Sequence, residues 1–171
     1  MARNGSTGPL DRPRSVRLGF LNRLLGRADD HPLLPLDPAN ELERRLRAVV
    51  AGQTDIEPFI DELVRVQVFI LVHGKAEPAP PSTMRPLVLP SSQGFPGLCV
   101  FTSPDRSLPV QQKRPEYQTG LQVAFTWVLQ ATPADLGLVV NPGWDIAIEL
   151  PPQGLARLRQ DVEDGKWAGA G

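Results

Sequence analysis

The residues of this chain with chemical potential are few and scattered. The densest group is Thr102-Ser-Pro-Asp-Arg106, in which two hydroxyls, a carboxylate and a guanidinium follow directly on an apolar run. A strand that ends this way sets polar groups at the rim of a sheet, where ligand sites are often built. The same residue types also make the Asx or Ser/Thr turn that simply stops a strand. Trp144 stands in Asn141-Pro-Gly-Trp-Asp145, at the tip of a tight turn. It either folds back over its own hairpin or projects as an aromatic anchor of the kind enriched at interfaces. Thr102, Asp105, Arg106 and Trp144 are therefore the candidate interaction residues.

The remaining reactive types have bland explanations. Cys99 lies inside Leu98-Cys-Val-Phe101, where a thiol behaves as a small hydrophobe and no neighbouring cation favours the thiolate. His31 and His73 are far apart and match no HExxH or CxxC spacing, so no metal set is formed. Asp145 and Glu149 would share a strand face about 13 Å apart at ~3.3 Å per residue, too far to act as a paired acid and base. No glycine-rich phosphate loop is present. No catalytic residue, cofactor or metal is expected.

Charge divides the chain in two. Residues 1–28 carry six Arg against Asp11, a net of +5, and the remainder is net −6. The acidic part is a poor ligand for nucleic acid, and the arm has only Phe20 for base stacking, so nucleic acid is not an expected partner. Within the arm, Val16, Phe20, Leu21, Leu24 and Leu25 can share one face of a short helix, with Arg17, Arg23 and Arg27 mostly elsewhere. Arg17, Arg23 and Arg27 are the candidate anion contacts, for an anionic membrane or an acidic partner. Residues 1–36 are expected to be a disordered basic arm carrying this short amphipathic helix, and 166–171 a flexible tail. A lone cysteine, no secretory hydrophobic segment and no apolar run near ~20 residues imply a cytoplasmic protein, with peripheral contact at the inner membrane face through the arm.

The elements that must position these residues follow from periodicity and punctuation. Asp37-Pro38 predicts the start of a helix with Leu42, Leu46, Val49 and Val50 on one side, closed by Gly52. Thr54-Asp-Ile-Glu57 reads as a capping box for a second helix burying Phe59, Ile60 and Leu63. Strands are predicted at Val66 to Val72, Leu87 to Leu89 and Gly97 to Thr102, joined as an antiparallel meander. Residues 103–119, with three prolines, read as mostly irregular. A brief strand at Leu121 to Val123 leads into a short helix to Ala131, on which Trp127 reads as core or semi-core. A hairpin follows, with Ile146, Ile148 and Leu150 alternating after the Pro142-Gly143 turn, and a closing helix carries Leu155, Leu158 and Val162.

The order and spacing of several strings resemble the N-terminal domain of the SseB family, associated with enhanced serine sensitivity. They are the helix pair before Val66-Gln-Val-Phe-Ile-Leu-Val72, then Pro86-Leu-Val-Leu89 and Val100-Phe-Thr-Ser-Pro-Asp-Arg106, then Gly137-Leu-Val-Val-Asn-Pro-Gly143 and Ile148-Glu-Leu-Pro-Pro152. The resemblance covers about residues 38–160. Its departures are a longer proline-rich loop after His73, Trp144 in place of a small polar residue, and no room for the second domain of longer members. It implies a small α/β domain with no established catalytic residues to carry over. The expected fold is α+β, with a mixed, mostly antiparallel sheet of five to six short strands, an N-terminal helix pair and a C-terminal helix, over residues 37–165. The expected function is a non-catalytic interaction or regulatory module that binds a protein partner. The alternative is an uncharacterised enzyme or a binder of a small, amino-acid-related metabolite. Oligomeric state is not legible.

Overall fold

The structure, a computed structural model, describes residues 33–74 and 84–167. Five helices and six strands alternate through it: α1 (Glu41–Val50), α2 (Glu57–Leu63), β1 (Gln67–Val72), β2 (Val88–Pro90), β3 (Pro96–Phe101), α3 (Pro104–Lys113), β4 (Thr119–Ala124), α4 (Phe125–Ala131), β5 (Gly137–Val140), β6 (Ile148–Leu150) and α5 (Pro152–Glu163). The sheet runs β4-β1-β3-β5-β6, with β2 also paired to β3. Only β3 and β5 are parallel; the other pairings are antiparallel. This is the expected α+β arrangement, with its helix pair first and a helix last.

The central strands are apolar throughout because both faces of the sheet are covered. Alternation sends Val68, Ile70, Leu98, Val100, Leu138 and Val140 into the larger core, beneath Leu46, Phe59, Leu63, Phe125, Leu129 and Leu155 of the helices. The intervening Leu71, Cys99, Phe101 and Val139 face a second cluster with Leu87, Leu89 and Val110. Val110 belongs to α3, in the stretch the sequence marks as irregular. That expectation fails because the sheet's second face needs apolar cover, and α3 supplies it. Pro104 sits in the first turn, where a missing N–H costs little, and Pro109 is tolerated inside the helix. Ser103-Pro104-Asp105 is in fact a helix-start signature that the proline count obscures.

Other corrections concern starts and pairings. Asn40, not Asp37, caps α1: its Oδ1 accepts a hydrogen bond from Glu43 N at 2.9 Å. The capping box predicted from Thr54 is not made, and Ile56 precedes α2 without a side-chain cap. The meander holds for the antiparallel β2–β3 pair but not for β1. β1 pairs with β3 at Phe69–Phe101 and with β4 along its whole length, touching the β2 side only through an isolated Val72–Pro86 bridge. β2, three residues long, pairs with β3 instead. Ile146 and Ala147 are both buried, so the predicted alternation begins only at Ile148, where β6 starts. Trp127 is exposed rather than core, at 37 %.

The domain also starts earlier than Asp37. Leu34 bonds across to the 143–145 turn, donating to Gly143 O at 3.0 Å and accepting from Asp145 N at 2.9 Å, and Leu36 is buried in the larger core. At the other end, Trp167 packs against the same core. Arg159 of α5 donates to the carbonyls of Leu129 at 2.6 Å and Thr132 at 2.5 Å, capping the C-terminal end of α4 with a cation, as the helix dipole favours. Among the described residues no helix is long and apolar enough to cross a membrane.

Where strands approach most closely, glycine is required. A Cβ on Gly137 would stand 2.3 Å from the Phe95 ring and 2.5 Å from the Leu150 carbonyl oxygen. The carbonyl belongs to the β5–β6 pairing and cannot step aside. Gly137→Ala is therefore expected to lower stability by about 1–3 kcal/mol, the range for overpacking a tight site. Chemical denaturation checks it; an unchanged midpoint would show that the β5–β6 seam is looser than described.

Candidate functional site

The polar residues singled out by the sequence converge at the carboxyl ends of the parallel pair, β3 and β5. Phe101 ends β3 and delivers Thr102; Val140 ends β5 and delivers Asn141. Asn141 is buried at φ 53°, the left-handed region that asparagine tolerates better than most residues. Its main-chain N–H still bonds Val100 O at 2.8 Å, continuing the ladder, while its carbonyl turns away to accept from Trp144 N at 3.2 Å. The side chain then takes over the carbonyl's place. Asn141 Oδ1 accepts from Thr102 N at 3.0 Å, so the pairing runs one residue past the strand ends.

Onto this end is lowered a carboxylate from another element. Glu43, in the first turn of α1, is completely buried. Its Oε1 accepts from Thr102 Oγ1 at 2.6 Å and Arg106 Nε at 2.9 Å. Its Oε2 accepts from Ala39 N at 2.8 Å and Arg106 Nη2 at 2.9 Å. The fork-to-fork contact with Arg106 is the strong, bidentate kind. Thr102 Oγ1 has a single proton, and the short contact to the carboxylate takes it; Asn141 Nδ2 then donates to the same oxygen at 3.0 Å. Arg106 Nη2 also reaches Asp37 O at 2.8 Å. Trp144 folds back: its Nε1 donates to Arg106 O at 2.8 Å, and the guanidinium carbon lies 5.1 Å from its ring centre.

The electrostatics follow from this geometry. Burial alone pushes the Glu43 carboxyl up, but the hydrogen bonds from Arg106, Thr102 and Ala39 more than offset it and hold it below its ordinary value. The bond to Glu43 raises Arg106. The buried Cys99 thiol is pushed far up by desolvation, which leaves it without thiolate character.

Three of the four candidate interaction residues thus meet in one cluster: Thr102, Arg106 and Trp144. Asp105 does not join it and is exposed on α3. Arg17, Arg23 and Arg27 lie outside the described residues. Glu43 and Asn141 were missed by sequence reasoning, although Asn40-Glu-Leu-Glu43 carries the helix-start pattern that buries the second glutamate. Asp145 and Glu149, too far apart to act as a pair, are staples: Asp145 accepts from Leu36 N at 2.8 Å, and Glu149 from Ser92 N at 2.8 Å and Ser92 Oγ at 2.7 Å. Among the described residues no group of His, Cys, Asp and Glu could hold a metal ion. A small cleft of about 220 Å³ opens beside the cluster, lined by Asn40, Glu41, Leu42, Glu62, Gln67 and Thr102 among others.

Two outcomes test the cluster. Asn141→Gly relieves the backbone at φ 53° yet orphans the buried Thr102 N–H, so it is expected to destabilise by about 1–3 kcal/mol; a neutral or stabilising result would show that the side chain carries nothing. For pH, Glu43 has a depressed folded value, so its contribution is complete above the unfolded carboxylate value near ~4.3 and is lost as pH falls through the folded one. The stability gap between the wild type and Glu43→Gln is expected to be constant at neutral pH and to shrink with acidification below about pH 5. Urea titrations at several pH values read the gap directly, and a gap that widened on acidification would contradict the assignment.

A scan against protein-family models matches residues 42–157 to the SseB protein N-terminal domain. No curated protein matches the chain, and no solved structure does. The matched segment takes in every buried member of the cluster, from Glu43 on α1 to Asn141 after β5, and it spans more than half of the molecule. On that match the chain belongs to the SseB family, through its N-terminal domain.

Proposed function

We propose that this domain is a non-catalytic interaction module that binds a protein partner with the surface around the Arg106–Trp144 contact. The supporting observation is how completely the cluster consumes its own chemistry. Both Glu43 oxygens are doubly bonded within the chain, and the Thr102 hydroxyl gives its proton to Glu43 while accepting from Asn141. Within the cluster no nucleophile faces a free base. Beside this spent polar centre an apolar group stands in solvent: Leu34, next to the Trp144 turn, is 40 % exposed; Leu108, further round α3 from Arg106, is 51 % exposed. An exposed leucine beside a held aromatic ring suits protein contact better than chemistry.

The cleft beside Glu41 and Glu62 is where a small metabolite would sit, but its volume of about 220 Å³ falls below the ~300–1,000 Å³ of ordinary small-molecule sites. The arm residues Arg17, Arg23 and Arg27 supply a second, electrostatic contact to an acidic partner or anionic membrane in this reading. The expected location is the bacterial cytoplasm.

The test compares partners retained by the full chain with those retained by a Leu34→Asp/Leu108→Asp variant of equal thermal midpoint. A stoichiometric protein lost from the variant supports the reading. No retained protein, or the same set retained by both, contradicts it.

A further inference from the structure

We propose that β4 is a self-pairing edge, and that two copies of this chain associate by laying their β4 strands antiparallel about a twofold axis at Leu121. The inference stands apart from the partner surface at Arg106 and Trp144. It starts from ladder parity. Phe125 N donates to Val66 O at 3.1 Å, and β4 and β1 are in continuous register from Ala124–Gln67 to Thr119–Val72. In an antiparallel ladder, hydrogen-bonded and non-bonded pairs alternate. Thr119, Leu121 and Val123 therefore bond inward to β1, and the N–H and C=O of Gly120 and Gln122 point away from the sheet. Those groups meet no partner among the described residues.

Edges of this kind are normally blunted by lysine, proline, inward charge or a bulge. Thr119-Gly-Leu-Gln-Val-Ala124 has no charged residue and no proline, and its register is unbroken. All six residues are partly or fully exposed. The opposite edge differs: β6 is three residues long and runs into Pro151-Pro152, and Glu149 is tied to Ser92. A second copy fits β4 for three reasons. An uncharged strand meets no like charge when it pairs with itself. One twofold contact closes both open edges at once. The edges then left outside are the short β6 strands, so the assembly stops at two and does not propagate.

The free groups also select the register. An axis at Gln122 would require the carbonyl of Ala124, which as the residue preceding α4 accepts that helix's first bond. An axis at Gly120 would require the carbonyl of Gln118, already bonded by Gln111 Nε2 at 3.4 Å. An axis at Leu121 pairs Gly120 with Gln122 of the second copy, and the reverse, using only unengaged groups. Leu121 then faces its own counterpart as a non-bonded pair, with Cα atoms about 4.5 Å apart. That spacing lies within disulfide range.

The test combines sedimentation with cross-linking on the full chain. Wild type is expected to show a concentration-dependent dimer. Gln122→Pro removes an outward donor and no β1 bond, so it is expected to give a folded monomer at the same concentrations. Leu121→Cys is expected to form a disulfide dimer under mild oxidation, since the native Cys99 is fully buried. Val123→Cys, which would face Thr119 of the second copy, is expected not to. A monomer at every concentration overturns the proposal. So does a dimer that survives Gln122→Pro, or one that cross-links equally through both cysteines. If Gln122→Pro does not fold, the comparison of the two cysteine variants decides alone.

Discussion

The fold depends on a carboxylate with no access to water. Glu43 carries its charge into the protein at zero exposure, opposite an Arg106 side chain that is only 14 % exposed. An isolated charge there would be strongly unfavourable, and partners on every lone pair are what permit it. One partner is local, the Ala39 N–H just ahead of α1; the others come from distant parts of the chain, Thr102 at the end of β3 and Arg106 in the first turn of α3. The pair need not add net stability relative to a well-packed apolar substitute. Its effect is positional, because only one arrangement of α1, α3 and the sheet lets all four bonds form together.

The same joint occupies a corner of the sheet where ligands are often held in other folds. In open sheets, the carboxyl ends of parallel strands are where ligand crevices usually form. Here β3 and β5 end side by side, and the space beyond them is filled by the Glu43–Arg106 pair and roofed by Trp144. Asn141 makes this possible by turning left-handed and lending its side chain to the ladder in place of its carbonyl. The strand end with its polar side chains is thus a corner whose groups are bonded to one another. Asp105, Leu108 and Leu34 are exposed.

Periodicity made most of the architecture legible. The apolar runs at Val66 to Val72 and Leu138 to Val140 read as strands, and the helix pair, α4 and α5 were each marked by their apolar faces. The sheet order was not legible, because pairing is a tertiary choice: β3 displaced β2 from the edge of β1 through contacts that no local pattern encodes. α3 was hidden by its prolines, although Pro104 suits a first turn and Val110 supplies a face the sheet required. At the site, Thr102, Arg106 and Trp144 stood out by type, while nothing local set Glu43 apart among the charges of its helix. Its burial follows from a hydroxyl and a guanidinium 59 and 63 residues away, and separations of that size leave no trace in a local window.

The central claim is that Glu43 and Arg106 are spent on each other. A double-mutant cycle tests it most directly, with Glu43→Leu, Arg106→Met and the combination compared by equilibrium denaturation. Each single change strands a buried partner and is expected to cost about 3–5 kcal/mol. The double variant is expected to recover much of that loss, giving a large coupling energy. Additive losses, with coupling near zero, would show that the two side chains act independently and would contradict the account.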